Sequence, residues 1–149
     1  MSIIQACEKK VVTVFKDTSI QEAAKLMKEK NIGDVVVVES RENCSQPIGI
    51  LTDRDLVVKF ASDNIDINSI TVGDALSRRL FTLNEKQGIN EAIVAMSEHG
   101  VRRAPVVNEN KELVGIVSID DLLVLIAEEL SYLANLVRKQ GAGGVVSAS

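Results

Sequence analysis

Apolar residues recur along the chain with two different periods, and the change from one to the other marks out its elements. Ile20, Ala23, Ala24 and Met27 follow the i, i+3, i+4, i+7 spacing of a helix with one buried face. Ser19 and Glu22 form a capping box at its start. The unbroken run Val35–Val38 lacks that spacing and suits a strand covered on both faces. Ile48–Leu51 predicts a second strand, with polar Ser40–Gln46 as the hairpin loop between them. Val11–Val14 reads as a short extended lead into the helix, and the residues near Asp53–Phe60 as a second helix.

The whole pattern then returns. At an offset of 69 residues, Val12-Thr13-Val14 maps onto Phe81-Thr82-Leu83, and Ile20, Ala23 and Met27 onto Ile89, Ala92 and Met96. Ile32 and Val37 map onto Val101 and Val106. By Gly49 and Gly115 the offset has fallen to 66, so the first copy holds three extra residues, which fall in the Ser40–Gln46 loop. Ala104–Val107 and Leu113–Val117 are the matching strands. Each copy therefore reads strand–helix–strand–strand–helix over about 60 residues, too small to bury a secure core alone, so the two should pack together.

The predicted class is α/β of the α+β kind, with two β-α-β-β-α repeats related by a pseudo-two-fold axis. The repeats span 3–61 and 72–130, joined by a linker at 62–71 within the polar stretch Ala61–Ile70. The last helix starts near Ile119 and extends over 131–140, which at about 1.5 Å per residue makes it roughly 33 Å long. A small two-lobed body cannot cover that length, so its end is expected to meet a second subunit in a homodimer. Residues 141–149, GAGGVVSAS, read as a disordered tail.

Composition narrows the function. Of 149 residues 46% are hydrophobic and only 3% aromatic, without Trp, so the core must be aliphatic. A net charge of −4 argues against a nucleic-acid partner. No apolar run approaches the roughly 18 residues that cross a bilayer, and the N-terminus does not read as a secretory signal. Two cysteines, Cys7 and Cys44, make neither a disulfide framework nor a zinc site, which suits a reducing cytoplasm. No phosphate-cradling glycine loop occurs, and His99 has no Cys or Ser partner in a recognisable arrangement. Neither catalytic nor metal-ligating residues are expected.

One phrase carries the candidate chemistry. GILTDRDLV, from Gly49, and GIVSIDDLL, from Gly115, both sit where a strand gives way to a helix. Thr52-x-x-Asp55 and Ser118-x-x-Asp121 could serve only as helix caps. The hydroxyl can also cap while the carboxylate faces a ligand.

Two such copies in register resemble a tandem pair of CBS domains, a Bateman module. The likeness covers residues 3 to about 130, including VVTVFKDTS, LFTLNEKQG and HGVRRAPVV. It implies a regulator, not an enzyme, that binds AMP, ADP, ATP, S-adenosylmethionine or NAD in clefts between the repeats and signals to a protein partner. In the favoured cleft it implies Asp121 on the ribose hydroxyls, Ser118 on ribose or phosphate, and Arg103 on phosphate. Thr13, Ile32, Gly33 and Asp34 would hold the adenine, with Ile116 in the same set. The second cleft would use Thr52, Arg54 and Asp55 with Thr82, Val101, Arg102 and Ala104. Asp34 stands where the other repeat has Arg103, and Asp120 where it has Arg54, so the clefts are expected to differ. A carboxylate accepting from vicinal hydroxyls makes charge-assisted bonds, and free N–H groups at a helix start attract phosphate.

Overall fold

The computed structural model describes residues 1–41, 44–76 and 79–147. It holds two three-stranded sheets of identical plan. In the first, β1 (Thr13–Phe15) runs parallel to β2 (Asp34–Arg41), which pairs antiparallel with β3 (Cys44–Thr52). In the second, β4 (Leu83–Asn84), β5 (Arg103–Val107) and β6 (Leu113–Ser118) repeat that order. The register slips between Val37 and Val38 in one sheet and between Val106 and Val107 in the other, so even the irregularity is duplicated. The β-α-β-β-α plan expected from the periodicity is the plan observed.

Helix α1 (Ile20–Lys30) starts where predicted, with the Ser19 side chain accepting from the Glu22 amide. It ends at Asn31, whose left-handed backbone closes the last turn. Its counterpart α4 (Ile89–His99) ends the same way on Gly100. Ile20, Ala23 and Met27 pack with Val14, Val35, Val37 and Leu51 as the first core, and Ala92 and Met96 with Leu83, Ala104 and Val106 as the second. Val36 and Val38 are also buried, so β2 is covered on both faces, as its unbroken run predicts.

Between Val38 and Gly49 the structure departs from expectation. Glu39, Ser40 and Arg41 pair with Gln46, Ser45 and Cys44, so most of the expected loop is strand. Main-chain pairing resumes beyond the slip at Val37–Val38, and the added length extends a hairpin instead of opening a loop. The second helix also differs. It opens as α2 (Asp53–Asp55) and continues through Leu56–Ala61 as wider, π-type turns. A short helix α3 (Val72–Ala75) follows the linker, and α5 runs Ile119–Ser147. It thus passes Gln140, the end expected from the sequence, through the Gly-rich segment. Each Gly costs about 1 kcal/mol in a helix, but a helix already nucleated extends one bond at a time.

The lead segments are exchanged between the lobes. Ile3, wholly buried, lies in the second core with Ala6 and Cys7 beside it, and the Glu8 amide and carbonyl pair with Ile116 on β6. Reciprocally, Val72 and Ala75 lie in the first core, and the Val72 and Gly73 amides donate to Thr18 and Lys16. Ile3 and Val72, each wholly buried, contribute roughly 1.5–3 kcal/mol apiece to a lobe that their own repeat does not otherwise build.

This crossing explains the glycine that opens each copy of the repeated phrase. A Cβ on Gly49 would lie 2.7 Å from the Leu76 side chain, and one on Gly115 2.5 Å from Cys7 Sγ and 3.0 Å from the Glu8 carbonyl. Only glycine lets the other repeat's lead pass so close to the strand.

Candidate functional site

The two phrases, alike in sequence, end in different hydrogen-bond arrangements. In the first, Thr52 Oγ1 accepts from the Asp55 amide while Asp55 Oδ2 accepts from the Thr52 amide. That closes a reciprocal capping box and holds the Asp55 carboxylate against its own backbone. In the second, Ser118 Oγ accepts from the Asp121 amide at 3.1 Å, without the return bond from Asp121 to the residue 118 amide. The Asp121 carboxylate is therefore left to face outward. Ser118, the buried polar side chain of this region, still has its hydroxyl proton to donate.

Asp121 lies in a cleft of about 350 Å³ between the repeats. Ile32 and Asp34 come from the first repeat, and Arg103, Ile116, Ser118 and Asp121 from the second. Six of the eight residues expected in the favoured cleft thus meet on one wall or another. Thr13 and Gly33 are not in its lining, although each adjoins a residue that is. Thr13 starts β1 with its side chain exposed, and a Cβ on Gly33 would touch Asp53 at 3.1 Å.

The lead segment supplies what the sequence reading missed, namely Glu8, Lys10, Val11 and Val12, and α5 adds Asp120. Glu8 Oε1 accepts from the Lys10 amide. A signal for Lys10 was present: the offset of 69 places Arg79 at the matching point of the second repeat, a base opposite a base. Lys10 and Arg103 are the cleft's cations, set against Glu8, Asp34, Asp120 and Asp121.

Arg103 Nε lies 2.9 Å from Asp34 Oδ2. The sequence reading placed both in the favoured cleft, Arg103 toward phosphate and Asp34 toward adenine, without pairing them. They stand at equivalent points beside the pseudo-two-fold axis and meet across it. Burial raises the Asp34 pKa, Arg103 partly offsets that, and Asp53 adds to the rise.

Of the residues expected in the second cleft, Thr52 and Asp55 bond to each other in the capping box and the others are placed apart from them. Thr52 pairs with Asp34 across β2 and β3, and Ala104 is buried in the second core. The Arg102 guanidinium lies 3.8 Å from Asp120, both exposed, and its carbonyl accepts from the Ile119 amide. Val101 packs beside the second core, and neither Arg54 nor Thr82 is buried. Among the described residues no group of three or more His, Cys, Asp or Glu side chains could hold a metal ion, and no helix is long and apolar enough to cross a membrane.

A sequence model of the CBS domain matches residues 3–62 and again 72–128. The chain belongs to the CBS domain family. It is 38% identical over 114 residues to the CBS domain-containing protein YhcV of Bacillus subtilis, covering 76% of this chain and 77% of that one. It is 35% identical over 123 residues to an uncharacterized protein of Methanopyrus kandleri, covering 83% of this chain but 61% of that one, so it spans less than two thirds of that relative's length. Among solved structures, the CBS domain pair of protein MJ0100, in complex with 5-methylthioadenosine and S-adenosyl-L-methionine, superposes with a TM-score of 0.71 at 26% identity. The match covers 85% of this chain and 99% of that one. The CBS pair is thus the fold of this chain, and some proteins of that fold hold adenosyl ligands.

Proposed function

We propose that this CBS pair is a regulatory module that binds an adenosine-containing ligand in the cleft closed by Ser118 and Asp121. The ligand is AMP, ADP or ATP in an energy-sensing role, or S-adenosylmethionine or NAD. The module acts without catalysis, in the cytoplasm, as a homodimer that passes its ligand state to a protein partner. The observation that carries this reading is the open box at α5. Asp121 keeps its carboxylate for a pair of vicinal hydroxyls, whereas Asp55 spends its own on a helix cap. The Ser118 hydroxyl, Lys10 and the start of α5 are disposed to meet phosphate or the polar tail of the ligand.

A ligand-free scaffold is the second reading, and the Arg103–Asp34 pair favours it, because that pair satisfies the cleft's guanidinium without any ligand. Thermal shift with AMP, ADP, ATP, S-adenosylmethionine and NADH separates the two. A ligand at 100 times its Kd should stabilise the protein by about 2.7 kcal/mol. No shift with any of the five leaves the scaffold.

A further inference from the structure

The cleft closed by Ser118 and Asp121 is lined by two cations, Lys10 and Arg103, and by four carboxylates, Glu8, Asp34, Asp120 and Asp121. Arg103 is already held at 2.9 Å by Asp34. Glu8 Oε1 accepts from the Lys10 amide, which pins a carboxylate beside the other cation. Arg102 approaches Asp120 only to 3.8 Å, and both side chains are more than two-thirds exposed, so water screens that pair. The walls of a space of about 350 Å³ thus carry an excess of negative charge. A cleft with walls of one sign focuses its field into the space between them, so the excess acts on whatever enters.

We infer that this cleft selects its ligand by charge. It takes an adenosine whose 5′ group is uncharged or cationic, a thioether or a sulfonium, and rejects one that ends in phosphate. The inference rests on the adenosyl reading above and narrows it. Asp121 serves the vicinal hydroxyls of either kind, so the discrimination lies with Glu8, brought by the crossing lead, and Asp120, in the first turn of α5. A phosphate monoester carries about −1.5 to −2 charge at pH 7 and a polyphosphate more, and each must settle against those two carboxylates with Lys10 as the cation left to receive it. A sulfonium tail that also bears an amino group meets the same two carboxylates as an attraction.

Titration calorimetry on the full chain tests this with four probes that differ in the charge of the tail: S-adenosylmethionine, 5′-methylthioadenosine, AMP and ATP. At neutral pH and low salt the first two should bind about tenfold or more tighter than ATP, with AMP between. Added salt should narrow that gap, because screening weakens both the repulsion and the attraction. Glu8→Gln/Asp120→Asn keeps the side-chain shapes and the acceptor for the Lys10 amide. In this variant ATP should gain about tenfold and S-adenosylmethionine should lose affinity, each Kd being taken relative to 5′-methylthioadenosine on the same protein so that a general change in the cleft cancels. ATP or AMP binding to the wild type as tightly as S-adenosylmethionine overturns the selection by charge and leaves the adenosyl reading standing. A gap that neither salt nor the double variant narrows means that shape excludes phosphate, and it overturns the role of the two carboxylates. Failure of all four probes to bind overturns the adenosyl reading and this inference with it.

Discussion

Asp34 and Arg103 stand 69 positions apart, at matching points of the two repeats, and join Oδ2 to Nε at 2.9 Å across the axis that relates them. The pair couples the lobes directly. It also means that a phosphate reaching for Arg103 must compete with a carboxylate already in place.

That competition has a pH dependence. Asp34 has a raised pKa, chiefly from burial, so the folded protein holds its proton more tightly than the unfolded chain does. Its contribution to stability is therefore full below the ordinary carboxylate value and declines as pH rises through the folded one. Asp34→Asn should remove that decline, so the variant gains on the wild type as pH rises from below the carboxylate range toward neutrality. A phosphate-bearing ligand should bind more tightly as pH falls and Asp34 protonates. In Asp34→Asn the affinity should rise by about tenfold, roughly 1.4 kcal/mol, and lose most of its pH dependence. Calorimetric titration and thermal melts across that range read both effects.

The two aspartates of the repeated phrase should respond differently to removal. Asp55→Ala opens a closed capping box and should cost about 1 kcal/mol of stability with little change in ligand affinity. Asp121→Ala should leave stability nearly unchanged and weaken binding by about ten- to a hundredfold, as expected for losing charge-assisted hydrogen bonds. Urea unfolding and titration calorimetry on both variants provide the comparison. Loss of binding from Asp55→Ala alone would move the site to the other cleft.

The paired glycines offer a graded test of the crossing leads. At Gly49 an added methyl meets only the end of the Leu76 side chain, which can rotate away. At Gly115 it meets the Glu8 backbone as well as Cys7. Gly115→Ala should therefore destabilise more than Gly49→Ala, by about 1–3 kcal/mol, the ordinary cost of overpacking. Equal midpoints in urea would contradict that difference.

Ile3 lies in the first ten residues of the chain yet wholly within the second core. Ile3→Ala should cost about 2–5 kcal/mol. Its mark should fall on the lobe built by the second repeat, with amide exchange protection lost in α4 and β5 before α1 and β2. Even loss across both lobes would mean that they unfold as a single unit.

Local order was legible where one residue type serves one purpose. The 3.6-residue spacing of Ile20, Ala23 and Met27 and the unbroken Val35–Val38 run have few other uses than a buried helix face and a buried strand. Six residues of the favoured cleft could be named because the resemblance to a CBS pair points to them, and three of these, Ile116, Ser118 and Asp121, lie in the repeated phrase itself. Lys10, Glu8 and the Arg103–Asp34 pair were hidden for a common reason. Each depends on which lobe a segment packs against, and hydrophobic periodicity records that a residue is buried without recording where. The length of the hairpin after Val38 was missed because polar residues fill exposed strands as readily as loops.

The exchange of lead segments has a consequence for ancestry. A single β-α-β-β-α unit with its lead reaching outward would leave both that lead and its own docking face bare. Two free copies could satisfy each other only by trading leads around a two-fold axis. The present chain has the form of such a reciprocal pair joined end to end by residues 62–71. Joined in one chain, the two copies need no longer match, and at equivalent points they carry the opposite charges of Asp34 and Arg103.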